Sequence, residues 1–260
     1  MLQTVNRAGQ VLDLFSSSHP QWGATAVAHE LDIAKSQAHE LLVSLADIGL
    51  LQRGGPGRYT LGWRIVALNS LLVDTSDVRQ EAARVMRALS ARYGETVHLA
   101  VWGPSRAICI AAFAGRQGVA VPPCPVGEEL PGHCTGAGKV LLACQPWQAV
   151  SEGLQRDGLP RMTDRTIVTF EALGDELATV RRQGFAHEQE EHVANTCGVA
   201  APIMDAHGDV MAAVSMSVPT DRWRRGALEY TRGLVAGAAR SSELVRLRIA
   251  QRAQGLAAAS

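Results

Sequence analysis

Hydrophobic positions along this chain follow one rhythm over the first seventy-five residues and a mixture of rhythms beyond. Val5, Ala8, Leu12 and Phe15 recur at three- and four-residue spacing, which predicts an amphipathic helix from Thr4 to Ser16. A polar stretch ending in Pro20 breaks it. Thr25 reads as the cap of a short second helix, Ala26 to Leu31, because its hydroxyl can accept from free first-turn amides. Asp32-Ile33-Ala34 reads as a tight turn. A third helix is predicted from Lys35 to Ile48, with Ala38, Leu41, Leu42, Leu45 and Ile48 on one face and Gly49 as its stop. Leu50–Arg53 and Arg58–Leu61 are strand-like around the turn cluster Gly54-Gly55-Pro56-Gly57. Two helices about a three-residue turn, followed by a hairpin, make the pattern of a winged helix-turn-helix.

Away from its apolar stripe the third helix carries Lys35, Ser36, Gln37, His39 and Glu40 near its start. In a winged helix-turn-helix such side chains face the DNA major groove. Gln37 can pair with adenine and Glu40 can accept from cytosine. Lys35, the helix start and Arg58 of the hairpin can hold phosphates. A trihelical unit with a hairpin also serves as a protein adaptor, and the pattern alone leaves both readings open. Charge does not choose between them. Residues 1–75 hold five basic and six acidic side chains, and the whole chain is neutral.

Beyond the hairpin, Leu61, Ile65, Leu68 and Leu72 predict a helix from Leu61 to Val73. It reads either as a dimerising linker or as a core-facing helix. A helix at Asp77–Tyr93 and strands at Thr96–Trp102 and Ala107–Phe113 come next. Helices near Thr135–Cys144 and Phe170–Gln183 follow. Strands near Phe185–Glu190, Val199–Met204 and Val210–Val218 then precede a long helix from Arg225 to Gln251. Eight arginines between Arg222 and Arg252 read as the solvated face of that helix. The order is that of a mixed α/β domain rather than a repeating βαβ array.

Composition narrows the class further. Hydrophobic content of 47 % and charged content of 19 % suit a soluble globular protein. No apolar run approaches the ~18–20 residues of a membrane span, and the first residues lack the apolar stretch of a signal peptide, so a cytoplasmic protein without a membrane partner is expected. Five cysteines without a Cys-x-x-Cys pair suggest reduced, mostly buried thiols, Cys134 beside His133 among them. Several catalytic patterns fail on spacing. Between Gly132 and Gly138-Lys139 lies one residue too many for a phosphate loop. His187 and His192 are five apart, which puts them on opposite faces of a strand and off one face of a helix. Gly103-Pro104-Ser105-Arg106-Ala107 lacks the last glycine of a nucleophile elbow. No catalytic residue, metal site or cofactor is expected.

A binding pocket is a better reading. Gly136-Ala137-Gly138 opens a helix with free amides and little bulk, which can hold a carboxylate. Close helix packing explains the same small residues.

Six blocks in order give the chain a wider resemblance. They are Lys35–Leu42, Gly57–Gly62, Gly94–Ala100, Leu130–His133 with Gly136–Lys139, Glu190–His192, and Val199–Pro202. Together they resemble the IclR (isocitrate lyase regulator) family of bacterial transcription factors over nearly the whole length. That resemblance implies a winged helix-turn-helix at 1–61, a linker helix at 62–76 and a GAF-like α/β effector-binding domain at 77–260. It also implies a homodimer or dimer of dimers on a palindromic double-stranded DNA operator, with repression favoured. Glu40 stands where the family usually has a basic residue. Family effector positions match Gly136, Ala137, Ser215 and Ser217, while Glu188 and Gly198 stand where relatives often carry Asp and Cys. The reading is a regulator whose operator affinity is set by a small organic acid. Its carboxylate would lie on the amides of Gly136 and Ala137, and Gly198 would leave room for a bulkier body. The rival reading is a metabolic enzyme or sensor with an N-terminal interaction module.

Overall fold

Three helices open the chain, α1 (Gln3–Asp13), α2 (Ala24–Glu30) and α3 (Lys35–Asp47). They meet around Val11, Val27, Ala38, Leu41, Leu42 and Leu45, the apolar stripe of the sequence. Full burial of such side chains stabilises by about 1.5–3 kcal/mol each. Gly49, at φ 78°, ends α3 in the left-handed region that glycine enters without strain. The Arg64 guanidinium donates to the carbonyl of Ile48 at 2.6 Å and satisfies that end of the helix. The hairpin follows as β1 (Leu51–Gly55) and β2 (Arg58–Leu61), so its turn is Pro56-Gly57 alone.

One expected feature is overturned here. Thr25 does not cap α2, since it lies inside the helix, whose capping residue is Gly23 with no side-chain bond. The cause is Trp22. Its backbone pairs with Tyr59 in both directions, at 3.0 and 2.8 Å, and its indole donates to the Leu14 carbonyl at 2.8 Å. The chain is therefore extended up to Gly23 and turns helical at once. The next helix, α4 (Arg64–Thr75), starts three residues later than expected because β2 extends through Leu61 and the Gly62 amide bonds to Leu50. It buries no residue, and Val66, Leu68, Leu71 and Leu72 are exposed.

The computed structural model describes residues 2–103, 106–115, 123–148, 150–151, 154 and 158–258. The Pro104-Ser105 part of the elbow-like stretch lies outside them. The chain divides into two units, Met1–Thr75 and Ser76–Ser260.

The second unit begins with α5 (Asp77–Tyr93), then β3 (Thr96–Trp102), β4 (Ala107–Phe113), β5 (Glu129–Leu130) and α6 (Gly136–Ala143). It continues with α7 (Phe170–Gln183), β6 (Ala186–Gln189), β7 (Thr196–Met204), β8 (Val210–Pro219) and α8 (Thr220–Ala258). The strands form one antiparallel sheet in the order β5-β4-β3-β8-β7-β6.

Strand alternation sorts the core into two layers. Val97, Leu99, Val199, Ala201, Val214, Met216 and Val218 face α5 and α8 with Met86, Trp223 and Leu234. Ala100, Ala200 and Ala213 face α6 and α7 with Leu141, Leu142, Leu173 and Leu177. The small alanines allow α6 to lie close on the sheet. β8 runs straight into α8, so that helix starts at Thr220, five residues before the expected point.

The arginines of α8 are not simply a solvated face. Arg222 holds the buried Glu95 through two bonds of 2.6 and 2.7 Å, and Arg248 and Arg252 pair with Asp77 of α5. Glu95 is buried, so losing Arg222 would leave its charge without a partner in the core. The cysteines are all free. Cys109, Cys134 and Cys197 are buried, but Cys144 is exposed and Cys124 half-buried.

Candidate functional site

Lys35, Ser36, His39 and Glu40 are exposed on the first turns of α3, and Gln37 is half-buried between them. The residue before the helix is Ala34, whose side chain cannot accept a hydrogen bond, and no acidic residue lies in the first turn. The first amides of α3 therefore point outward without a side-chain partner, on the positive end of the helix dipole. Arg58 is exposed at the start of β2. The arrangement can grip a phosphate with backbone amides while side chains reach base edges.

The second site lies on the α6 side of the large sheet. Along β3, β7 and β8 that face changes from Ala100, Ala200 and Ala213 to His98, Thr196, Ser215 and Ser217. Where the alanines stop, α6 begins, and between the two opens a cavity of about 280 Å³. Its wall includes Gly136 and Ala137 of α6, Glu188 of β6, and His192 and Val193 of the following loop. Pro123, Cys124, Pro125, Glu128 and Leu130 close the other side.

Two of the first amides of α6 have side-chain partners. Thr135 accepts from the Gly138 amide at 3.1 Å and donates to the Pro131 carbonyl at 2.7 Å. The Gly136 amide donates to Glu188 Oε2 at 3.2 Å. Burial pushes the Glu188 carboxyl up to about 7, against the opposing pull of the Gly136 and His192 amides. Burial holds His98 down to about 4, and its Nε2 accepts the Cys124 amide at 3.1 Å. Burial lowers His192 as well. Behind the wall sits Lys139, 1 % exposed, donating to Glu176 at 2.9 Å and to both oxygens of Glu191 at 2.8 and 3.0 Å. That triad ties α6 to α7 and to the loop carrying His192.

Comparison with known proteins places these two sites in one family. The family described as bacterial transcriptional regulator IclR C-terminal matches residues 70–243, and the IclR helix-turn-helix domain matches residues 4–55. The chain belongs to the IclR family. It is a transcriptional regulator with a DNA-binding helix-turn-helix domain and a C-terminal effector domain. Among curated relatives, it is 32 % identical to the HTH-type transcriptional regulator XynR of Escherichia coli K12 over 223 residues, 85 % of this chain and 88 % of that one. Its fold matches an ICLR regulator from Silicibacter sp. TM1040 with a TM-score of 0.84 at 24 % identity, covering 94 % and 96 % of the two chains. It also matches an IclR homolog from Microbacterium hydrocarbonoxydans, solved with 4-hydroxybenzoate, with a TM-score of 0.73 at 25 % identity over 94 % and 100 %.

Within this IclR-family domain the structure brings together Gly136, Ala137, Glu188, Ser215 and Ser217, five of the six residues expected around an effector. Gly198 is the exception. It lies between Glu188 and Ser217 in the sheet register but is not in the cavity wall. A Cβ there would stand 2.7 Å from the Met216 carbonyl oxygen, so the missing side chain serves the close approach of β8. The carboxylate cradle expected on Gly136 and Ala137 is also not open as drawn, because Glu188 already takes the Gly136 amide. Val214, Met216 and Val218 belong to the α5–α8 core and Leu141 to the α6–α7 core, so none supplies apolar wall.

His187 and His192 part company across the sheet. His187 bonds Thr231 of α8 and packs on Trp223, while His192 lines the cavity. His98, Thr196 and His192 were missed by sequence reasoning. The family resemblance pointed to Ser215 and Ser217, and strand alternation carried from them across the register to β3 and β7 finds His98 and Thr196.

Proposed function

We propose that this regulator binds a palindromic operator in the cytoplasm as a homodimer or dimer of dimers, and that a small molecule in the 280 Å³ cavity sets its affinity. Residues 1–61 read DNA, residues 62–76 link, and residues 77–260 hold the effector. Lys35, Ser36, Gln37, His39 and Glu40 face the major groove, and Arg58 of the hairpin holds the backbone. The observation that carries the reading is the uncapped, exposed start of α3, with polar side chains on the same turns. The uncovered apolar side of α4 supports pairing of two copies. Repression is the favoured direction: an empty cavity leaves the operator-binding state and an occupied one weakens it, through a coupling of ~1–3 kcal/mol.

The test is operator binding by the full chain over a salt series, using DNA from upstream of its own gene. Affinity should fall steeply with salt as counterions are released. Operator binding that survives removal of residues 1–60 would sink the reading.

A further inference from the structure

Glu188 determines what the cavity can accept. Its Oε2 sits 3.2 Å from the Gly136 amide, the first of α6, at the positive end of a helix. That is the seat an anionic ligand would seek, and the protein's own carboxylate is in it. A second carboxylate, Glu128, stands in the same wall. No lysine or arginine lines the cavity among the described residues. His98 and His192 are uncharged at neutral pH, because burial lowers both. Lys139, the nearby ammonium, is committed to Glu176 and Glu191. An incoming carboxylate would find the Gly136 amide taken, and would have to hold the Glu188 carboxyl, which titrates near 7, in its protonated form.

What the wall does offer is hydroxyl chemistry. Ser215 and Ser217 point into the cavity from alternate positions of β8, and neither hydroxyl bonds another described residue. Resting on the effector reading above, we propose that the Glu188 carboxyl holds the anion seat of this cavity and that the effector is an uncharged, polyhydroxylated small molecule. Its hydroxyls exchange hydrogen bonds with the Glu188 carboxyl and with Ser215 and Ser217. A hydroxyl both donates and accepts, as this mixture of groups requires, whereas an ammonium only donates. Pro123, Pro125, Leu130 and Val193 cover the C–H surfaces.

The experiment uses the full-length protein and matched probes: glucitol with gluconate, glucose with glucuronate, glycerol with glycerate, and glucosamine as the cationic member. Thermal stabilisation and calorimetry are read for each. A neutral member should bind, and should exceed its acid by about tenfold or more, the weight of one pKa unit. An acid that binds better than its neutral partner overturns the proposal. So does glucosamine binding better than glucose, or a panel in which no neutral member binds.

A second arm tests the seat itself. In Glu188→Ala the Gly136 amide is vacated, so acetate should raise the melting temperature of that variant and not of wild type, against chloride at equal ionic strength. Acetate acting equally on both proteins refutes the seat assignment. Should Glu188→Ala not fold, Glu188→Gln takes its place with gluconate as probe, where a gain in gluconate affinity over wild type supports the proposal and no gain refutes it. Operator binding by wild type is measured on the same preparation. Its loss counts against the regulator reading and leaves the seat assignment standing on the acetate result.

Discussion

At the start of α3 the capping residue is Ala34, and nothing in the first turn accepts from the amides. At the start of α6 the capping residue is Thr135, which takes the Gly138 amide, while Glu188 takes that of Gly136. Both are positive helix ends, yet one is left open on an exposed surface and the other is neutralised inside a cavity. The difference teaches that a helix start is an anion site only when its own side chains leave it free. By this criterion α3 keeps its capacity for a phosphate and α6 has already used two of its amides.

The comparison can be broken or sharpened by five substitutions. The largest effect is expected from Glu188→Gln, read as stability against pH. The Glu188 carboxyl ordinarily titrates near 4.5 and here near 7, so the folded protein keeps a proton that the unfolded chain has released. Between those values its contribution falls as pH rises, by up to about 3 kcal/mol. His98, ordinarily 6.5 and here about 4, acts oppositely, its contribution falling as pH drops below 6.5. Chemical denaturation from pH 5 to 8 should show wild type losing stability relative to Glu188→Gln as pH rises, since His98 is common to both. A flat difference would mean that Glu188 is not desolvated.

Gln37→Ala should weaken one operator sequence selectively by ~1–3 kcal/mol, the worth of a base contact, while Arg58→Ala weakens all sequences alike. Fluorescence anisotropy on operator and random DNA separates the two, and equal losses on both for Gln37→Ala would remove its base-reading role. Ala34→Asp gives α3 the closed start of α6. It should weaken operator binding by ~1–2 kcal/mol through repulsion of phosphate while raising the melting temperature, as a cap does. If stability rises and affinity holds, the α3 amides do not touch DNA. The smallest effect is expected from Thr135→Ala, which opens the start of α6 and should cost about 1 kcal/mol of stability in a denaturant titration with operator affinity unchanged.

Periodicity carried much of the fold into view. The α3 stripe of Ala38, Leu41, Leu42 and Leu45 was visible because exposed and buried positions alternate cleanly at helical spacing. Phe170–Gln183 was bounded correctly because Thr169 and Gly184 mark its two ends, the first accepting the Ala172 amide and the second at φ 79°. The start of α2 was misjudged because Gly23 is fixed by the pairing of Trp22 with Tyr59, a contact thirty-seven positions away that no local pattern contains. The cavity was legible in the same uneven way. Ser215 and Ser217 came from the family resemblance, and alternation puts both on one face of β8. That Glu188 reaches across to Gly136, fifty-two positions earlier, depends on the closing of the sheet around α6 and leaves no local trace. The Arg222–Glu95 pair spans a greater separation still and makes an apparently solvated arginine the half-buried partner of a buried carboxylate.

The terminal helix is a rod held near both ends. Thr220, its first residue, donates to Glu190 at 2.7 Å, two residues before the His192 of the cavity wall. Some thirty positions on, Arg248 and Arg252 grip Asp77, two residues past the boundary at Thr75. At 1.5 Å per residue those two grips stand roughly 40–50 Å apart along one continuous helix. A helix resists compression far better than a loop does, so the rim of the cavity and the start of α5 are joined by a stiff strut rather than by slack chain. Neither end can travel along the rod's axis without the other following or one of these ion pairs and hydrogen bonds giving way.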